Sequence, residues 1–179
     1  MLKRILLSMA ILLAAPLAAE AGDFNYNYVE GAYTSVNPSG RSSSLTGVTV
    51  DGSFAFDPHW HAIAGVEHVS GQNAFDVGAG WNTALADNVD VLIEGEFLST
   101  DVAANTTNTG WGVNGGLRFQ LAPMFELDGL VSHTDVNSVT ENTLGVRGLF
   151  SIDKFWHVFA SYANNSNADT FMIGVRYNF

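Results

Sequence analysis

The chain has 179 residues, no cysteine, 14% charged residues and a formal net charge of −11. Without thiols it forms no disulfide, thiolate metal site or lipid-modified cysteine, and with only 7 lysines and arginines it offers no basic surface to nucleic acid. Aromatics reach 12% and there are 18 glycines. No segment beyond the amino terminus has the roughly 18 consecutive apolar residues of a membrane helix, which leaves a soluble β-sandwich or a membrane β-barrel.

At the amino terminus, Lys3 and Arg4 precede an apolar run from Ile5 to Leu17 that only Ser8 and Pro16 interrupt. Ala19-Glu20-Ala21 then places small residues at the two positions a signal peptidase reads. Residues 1–21 are read as a secretory signal peptide cut before Gly22, and residues 22–179 as one domain.

Alternation of apolar and polar residues, the side-chain period of a strand, predicts ten strands near 25–35, 45–56, 60–69, 74–85, 89–98, 110–121, 124–133, 143–152, 156–163 and 170–179. Most have the length a tilted membrane strand requires, about 9–11 residues. The expected fold is a ten-stranded antiparallel up-and-down transmembrane barrel, with eight strands as the alternative. Tight turns at Asp57-Pro58-His59, Ala86-Asp87-Asn88, Ala122-Pro123 and Asp153-Lys154 alternate with regions 36–44, 70–73, 99–109, 134–142 and 164–169, rich in Ser, Thr, Asn and Gly. Short periplasmic turns and looser extracellular loops give this rhythm, and an even strand number puts both termini in the periplasm.

The outward aromatics sort by depth. Phe54, Phe56, Trp60, Phe119, Phe125, Phe150, Trp156, Tyr177 and Phe179 fall beside the short turns. Tyr33, Phe75, Phe97, Trp111, Tyr162 and Phe171 fall at the loop ends, with mostly aliphatic residues and glycine between the two groups. Two aromatic belts around an aliphatic band match the two interfaces of a bilayer, and a soluble sandwich has no reason to sort them so.

On the other parity lie Glu30, Asp51, Glu67, Asp76, Asp90, Glu94, Glu96, Glu126 and Asp128, with Arg118, Arg147, Arg176, His61 and His157. This set is the expected lumen charge network. A turn centred on Ala122 would oppose Arg118 to Glu126 inside and Phe119 to Phe125 outside. The acids outnumber the arginines, so some must be hydrated, protonated or cation-paired. The lumen then reads either as a polar plug or as a narrow, cation-preferring conduit.

Three smaller constellations point elsewhere. His68-Val69-Ser70 sets a base and a nucleophile on one strand, and this resembles the lipid-facing pair of outer-membrane lipid A deacylases. His59 and His61 share a parity compatible with a metal, but no further ligand is apparent. Asp135 and Glu141 are loop acids without a calcium-loop spacing. No catalytic residue, metal or cofactor is expected.

Two resemblances follow from particular segments. The strand Thr170–Phe179 ends on an aromatic and resembles the assembly signal of bacterial outer-membrane barrels, with Phe179 as its last residue. It implies passage past periplasmic chaperones to the barrel assembly machinery and insertion among outer-membrane lipid. Asn25-Tyr26-Asn27-Tyr28-Val29-Glu30-Gly31-Ala32-Tyr33 and Gly110-Trp111-Gly112-Val113-Asn114-Gly115-Gly116 resemble stretches of the Ax21 family of xanthomonad-type bacteria. The second stretch belongs to the second strand in that family and falls in the sixth here. The resemblance implies a small exported outer-membrane barrel and assigns no functional residue. The expected role is structural or surface-interacting and not catalytic, with loops 36–44, 99–109 and 134–142 as contact surfaces. A cation-preferring pore and a lipid A-modifying enzyme are the alternatives.

Overall fold

A computed structural model describes residues 24–103 and 106–179, so the predicted signal peptide lies outside the described residues. Ten antiparallel strands close into a barrel: β1 Tyr28–Pro38, β2 Leu45–Asp57, β3 Trp60–Val69, β4 Gln72–Ala86, β5 Val89–Ala103, β6 Thr106–Ala122, β7 Phe125–Val136, β8 Val139–Ser151, β9 Trp156–Asn164 and β10 Ala168–Asn178. Each strand pairs with its sequence neighbours, and β1 pairs with β10. Closure gives every strand a partner on both sides and removes the open edge.

Burial switches at every residue along β3, from exposed Trp60 to buried Val69, and along β9, from Trp156 to Asn164. The inward parity is the predicted one. In β1, Glu30 is buried while Val29 and Tyr33 are exposed. The outward face is greasy: Val50, Phe54, Ile93, Phe97, Val131, Leu144 and Ile173 are all exposed.

Hydrogen-bonded rows are oblique to the barrel axis. One row runs Trp60, Trp81, Ile93, Gly115, Val131, Leu144, Asn164. It starts at the first residue of β3, beside the rim where β1 begins and β10 ends (the lower rim), and ends at the last residue of β9, at the opposite, upper rim. A row that climbs the wall in this way requires tilted strands, as closure with shear dictates. The seam between β1 and β10 is tight. Gly174 faces Ala32 in register, and a Cβ built on it would lie 2.8 Å from Phe159 Cζ and 2.9 Å from Ala32 Cα.

Several expectations need correction. The upper ends are strand rather than loop: β5 and β6 reach Ala103 and Thr106, and β7 and β8 reach Val136 and Val139. Regions 99–109 and 134–142 are therefore largely hairpin, and among the described residues of these upper regions only 36–44 keeps a sizeable loop. The polar composition that reads as loop is the composition of strands standing above the apolar band. Asn137 (φ 52°) with Ser138 (φ 64°), and Ser70 (φ 50°) with Gly71 (φ 82°), make two-residue turns with both φ values positive, the form that matches strand twist. Asp135 and Glu141 accordingly sit in strands, not in a loop. At the other rim, β1 starts at Tyr28 rather than at residue 25.

The turn after β6 shifts the expected pairing by two. Ala122 faces Phe125 across Pro123-Met124, with an irregularity between Gln120 and Ala122. Arg118 therefore lies opposite Asp128 instead of Glu126, and Phe119 opposite Leu127 instead of Phe125. A shift of two leaves every side chain on its expected face.

Candidate functional site

The lumen charges divide into two sectors. On β6, β7, β8, β10 and β1 an alternating chain runs Glu126, Arg118, Asp128, Arg147, Glu30, Arg176. Arg118 Nε donates to Glu126 Oε1 at 2.7 Å and to Asp128 Oδ1 at 3.4 Å. Arg147 Nη2 and Nε donate to Asp128 Oδ2 at 2.6 and 2.9 Å, and Nη1 reaches Glu30 at 3.1 Å. Arg176 bonds the same Glu30. Arg147 is 1% and Asp128 0% exposed. Three guanidinium groups among three carboxylates balance charge among buried side chains, the condition under which buried ions are tolerated.

The opposite sector is acidic. Asp51, Glu67, Asp76, Asp90, Glu94 and Glu96 project from β2 to β5 and are all buried. Their neighbours are mostly neutral: Thr49 Oγ1 donates to Glu67 Oε2 at 3.1 Å, and His61 Nε2 lies 3.1 Å from Glu94 Oε1. The other ring nitrogen of His61 lies 3.3 Å from Asn82 Oδ1. Gly65 stands in register between Asp51 and Asp76, and their carboxylates occupy the space its side chain would need. Neither oxygen of Asp76 has a hydrogen-bond partner among the described residues. Of the residues predicted as one network, Glu30, Arg118, Glu126, Asp128, Arg147 and Arg176 come together; Glu67, Asp76, Glu94 and Glu96 do not join them.

Residues 24–28 turn into the lower mouth, which strand alternation does not foretell. Phe24 stacks on the Arg118 guanidinium at 4.8 Å, and Tyr28 on that of Arg176 at 4.0 Å. Tyr26 stacks on His61 at 4.4 Å. Three aromatic faces thus cover two guanidinium groups and an imidazole. A cavity of about 180 Å³ remains beside them, lined in part by Arg118, Glu126, His157 and Arg176. The only sequence signal for this arrangement is an aromatic at every second position, Phe24, Tyr26 and Tyr28, on the parity of Glu30.

On the outer wall the belts are built from cross-strand aromatic neighbours: Phe97 beside Trp111, Phe125 beside Phe150, Tyr162 beside Phe171 and Trp156 beside Tyr177. The rings of the last pair are 4.9 Å apart. Tyr33, Phe54, Phe56, Trp60, Phe75 and the terminal Phe179 are likewise exposed, and Phe119 is half-buried.

Toward the upper rim every hairpin carries an outward polar pair that the sequence reading missed. These are Asn37 with Ser44, His68 with Asn73, Asp101 with Thr107, His133 with Asn142 and Asn164 with Asp169. They form a collar at and above the upper aromatic belt, where His133 lies against Trp111 at 5.5 Å; its signal is a polar residue on outward parity near each upper turn.

The collar also accounts for His68. Its Nδ1 lies 2.8 Å from Asn73 Oδ1, and the same distance separates His133 Nδ1 from Asn142 Oδ1. Position 135, two residues after His133, is Asp rather than Ser. The His–Asn pair therefore recurs without the nucleophile. His59 Nδ1 lies 2.9 Å from the Asn82 carbonyl, in a turn, and His61 points inward. No group of three His, Cys, Asp or Glu suited to a metal occurs among the described residues. Glu141 is held by the amides of Asn165 (3.3 Å) and Asn167.

No protein-family model and no curated protein sequence matches the chain. Solved structures do. The KdgM porin in complex with disordered oligogalacturonate aligns with a TM-score of 0.55 and 14% identity, covering 85% of this chain and 99% of that one. A second KdgM porin structure gives 0.52 and 13%, covering 84% and 99%. The NanC porin gives 0.47 and 11%, covering 86% of this chain and all of its own length. At these identities the likeness concerns the fold, which is that of outer-membrane β-barrels.

Proposed function

We propose that this protein is a non-catalytic outer-membrane barrel with a structural and surface-interaction role, its lower rim in the periplasm and its polar upper hairpins at the cell surface. The observation that carries this reading is the close filling of the middle of the lumen by side chains. Tyr28, His61, Asp76, Leu92, Glu94 and Asp128 are each 0% exposed. An aqueous conduit wets the side chains that line it. Barrels of about eight strands have interiors that side chains fill, whereas aqueous channels belong to much wider ones. The paired sector ties five strands together in the manner of an internal brace.

A second reading, a narrow cation conduit, draws on the acidic sector, because carboxylate-lined passages favour cations. Planar-bilayer recording of the purified barrel separates the two. The structural reading expects no steady ohmic conductance. A stable, cation-selective conductance lost in a Glu94→Gln, Glu96→Gln variant overturns it in favour of the conduit.

A further inference from the structure

The outer wall holds a recess of about 690 Å³. Its floor follows the climbing row Ile93, Gly115, Val131, Leu144. Gly115 leaves a gap between Ile93 and Val131, which are 54% and 56% exposed, and Leu144 at 65% is the most exposed large apolar side chain of the wall. The recess is therefore a notch in a greasy surface and continuous with it. Its upper end is polar: the paired His133 and Asn142, then Asn164 and Ser166. There the wall steps down. Strand β9 ends at Asn164, the register partner of Leu144, while β8 continues up to Val139. Space opens beside the upper part of β8 at the height of the polar collar.

We propose that this notch is a binding site for one outer-leaflet lipid A, with an acyl chain on Gly115 and its phosphorylated sugar against His133, Asn142 and Asn164. The row from Ile93 to Asn164 crosses four strand spacings, about 19 Å. Half the hydrocarbon core is about 15 Å, so a tilted acyl chain spans the notch and delivers its head group to the rim. Amide and imidazole groups suit sugar hydroxyls and phosphate. A second copy of this chain is the poorer occupant: a stable protein interface buries about 1,200 Å² or more, and a concave notch one side chain wide does not offer a second convex barrel that area. The proposal needs the outer-membrane orientation but not a closed lumen, so a conducting barrel leaves it standing.

The test is native mass spectrometry of the delipidated full-length barrel titrated with lipid A and, in parallel, with dipalmitoyl phosphatidylethanolamine. One lipid A adduct per barrel is expected to survive activation that strips the phospholipid. Gly115→Leu should reduce that adduct at least tenfold, whereas Gly31→Leu, an outward glycine with open space around it, should not. A Cβ at position 115 meets only Val131, at 3.7 Å, so the fold tolerates the change. Val113→Trp fills the same notch and serves if Gly115→Leu does not refold. Equal lipid A retention by the filled variants, equal retention of phospholipid, or a dimer in place of the adduct overturns the proposal.

Discussion

Arg147→Ala tests the internal brace most directly. Asp128 is 0% exposed, and both short bonds to its Oδ2, at 2.6 and 2.9 Å, come from Arg147. Its other oxygen keeps the 3.4 Å contact from Arg118. Glu30 loses the 3.1 Å bond from Arg147 Nη1 but keeps Arg176. The substitution therefore strands one buried carboxylate and weakens a second, a class of change that costs about 3–5 kcal/mol. In a domain of this size that corresponds to a fall in melting temperature of about 6–20 °C. Equilibrium urea unfolding in lipid vesicles, followed by circular dichroism, reads the free energy. Arg41→Ala, an exposed change outside the strands, should stay within about 0.5 kcal/mol of the parent. Adding Asp128→Asn to Arg147→Ala should restore part of the loss, because the stranded charge is then gone. A loss below about 1 kcal/mol for Arg147→Ala would show that the buried chain is not bracing the wall, and the reasoning fails.

Two further outcomes follow from local geometry. Gly174→Ala should destabilise the closing seam by about 1–3 kcal/mol, because the new carbon meets the β1 backbone and Phe159; Gly31→Ala, with nothing within 4 Å, should be nearly neutral, and equal unfolding midpoints would contradict the seam geometry. Asp153 Oδ1 accepts the amides of Phe155 and Trp156 at 2.7 and 2.8 Å, and these bonds hold its carboxyl below the usual carboxylate range. A folded-state value below the unfolded one means a contribution present above about pH 4 and lost as pH falls through the lowered value. The gap in unfolding midpoint between the parent and Asp153→Ala should therefore be present at pH 7 and shrink below pH 4; a gap that widens on acidification refutes the assignment.

Sidedness was legible in the chain itself. A strand has period two, and a charge placed in hydrocarbon costs enough that Glu30, Glu94 and Asp128 fall on one parity while Val29, Ile93 and Val131 fall on the other. Strand number and the two aromatic belts follow from the same alternation and from the Pro, Asp and Asn turns that punctuate it. Upper strand ends were not legible, because above the apolar band a strand and a loop share the same Ser, Thr and Asn composition.

Tertiary structure alone decided who meets whom. The irregularity at Leu121 sets Arg118 against Asp128, and nothing in local propensity specifies it. Arg147 and Glu30 are 117 positions apart and meet only because the sheet closes on itself. The same closure divides the charges into a paired half and an acidic half, and it draws Phe24 and Tyr26 into the mouth. Climbing rows bring Gly115 under the step at Asn164. Alternation dictates which face a side chain takes; tilt, shear and closure dictate its neighbours, and those depend on the whole ring of strands at once.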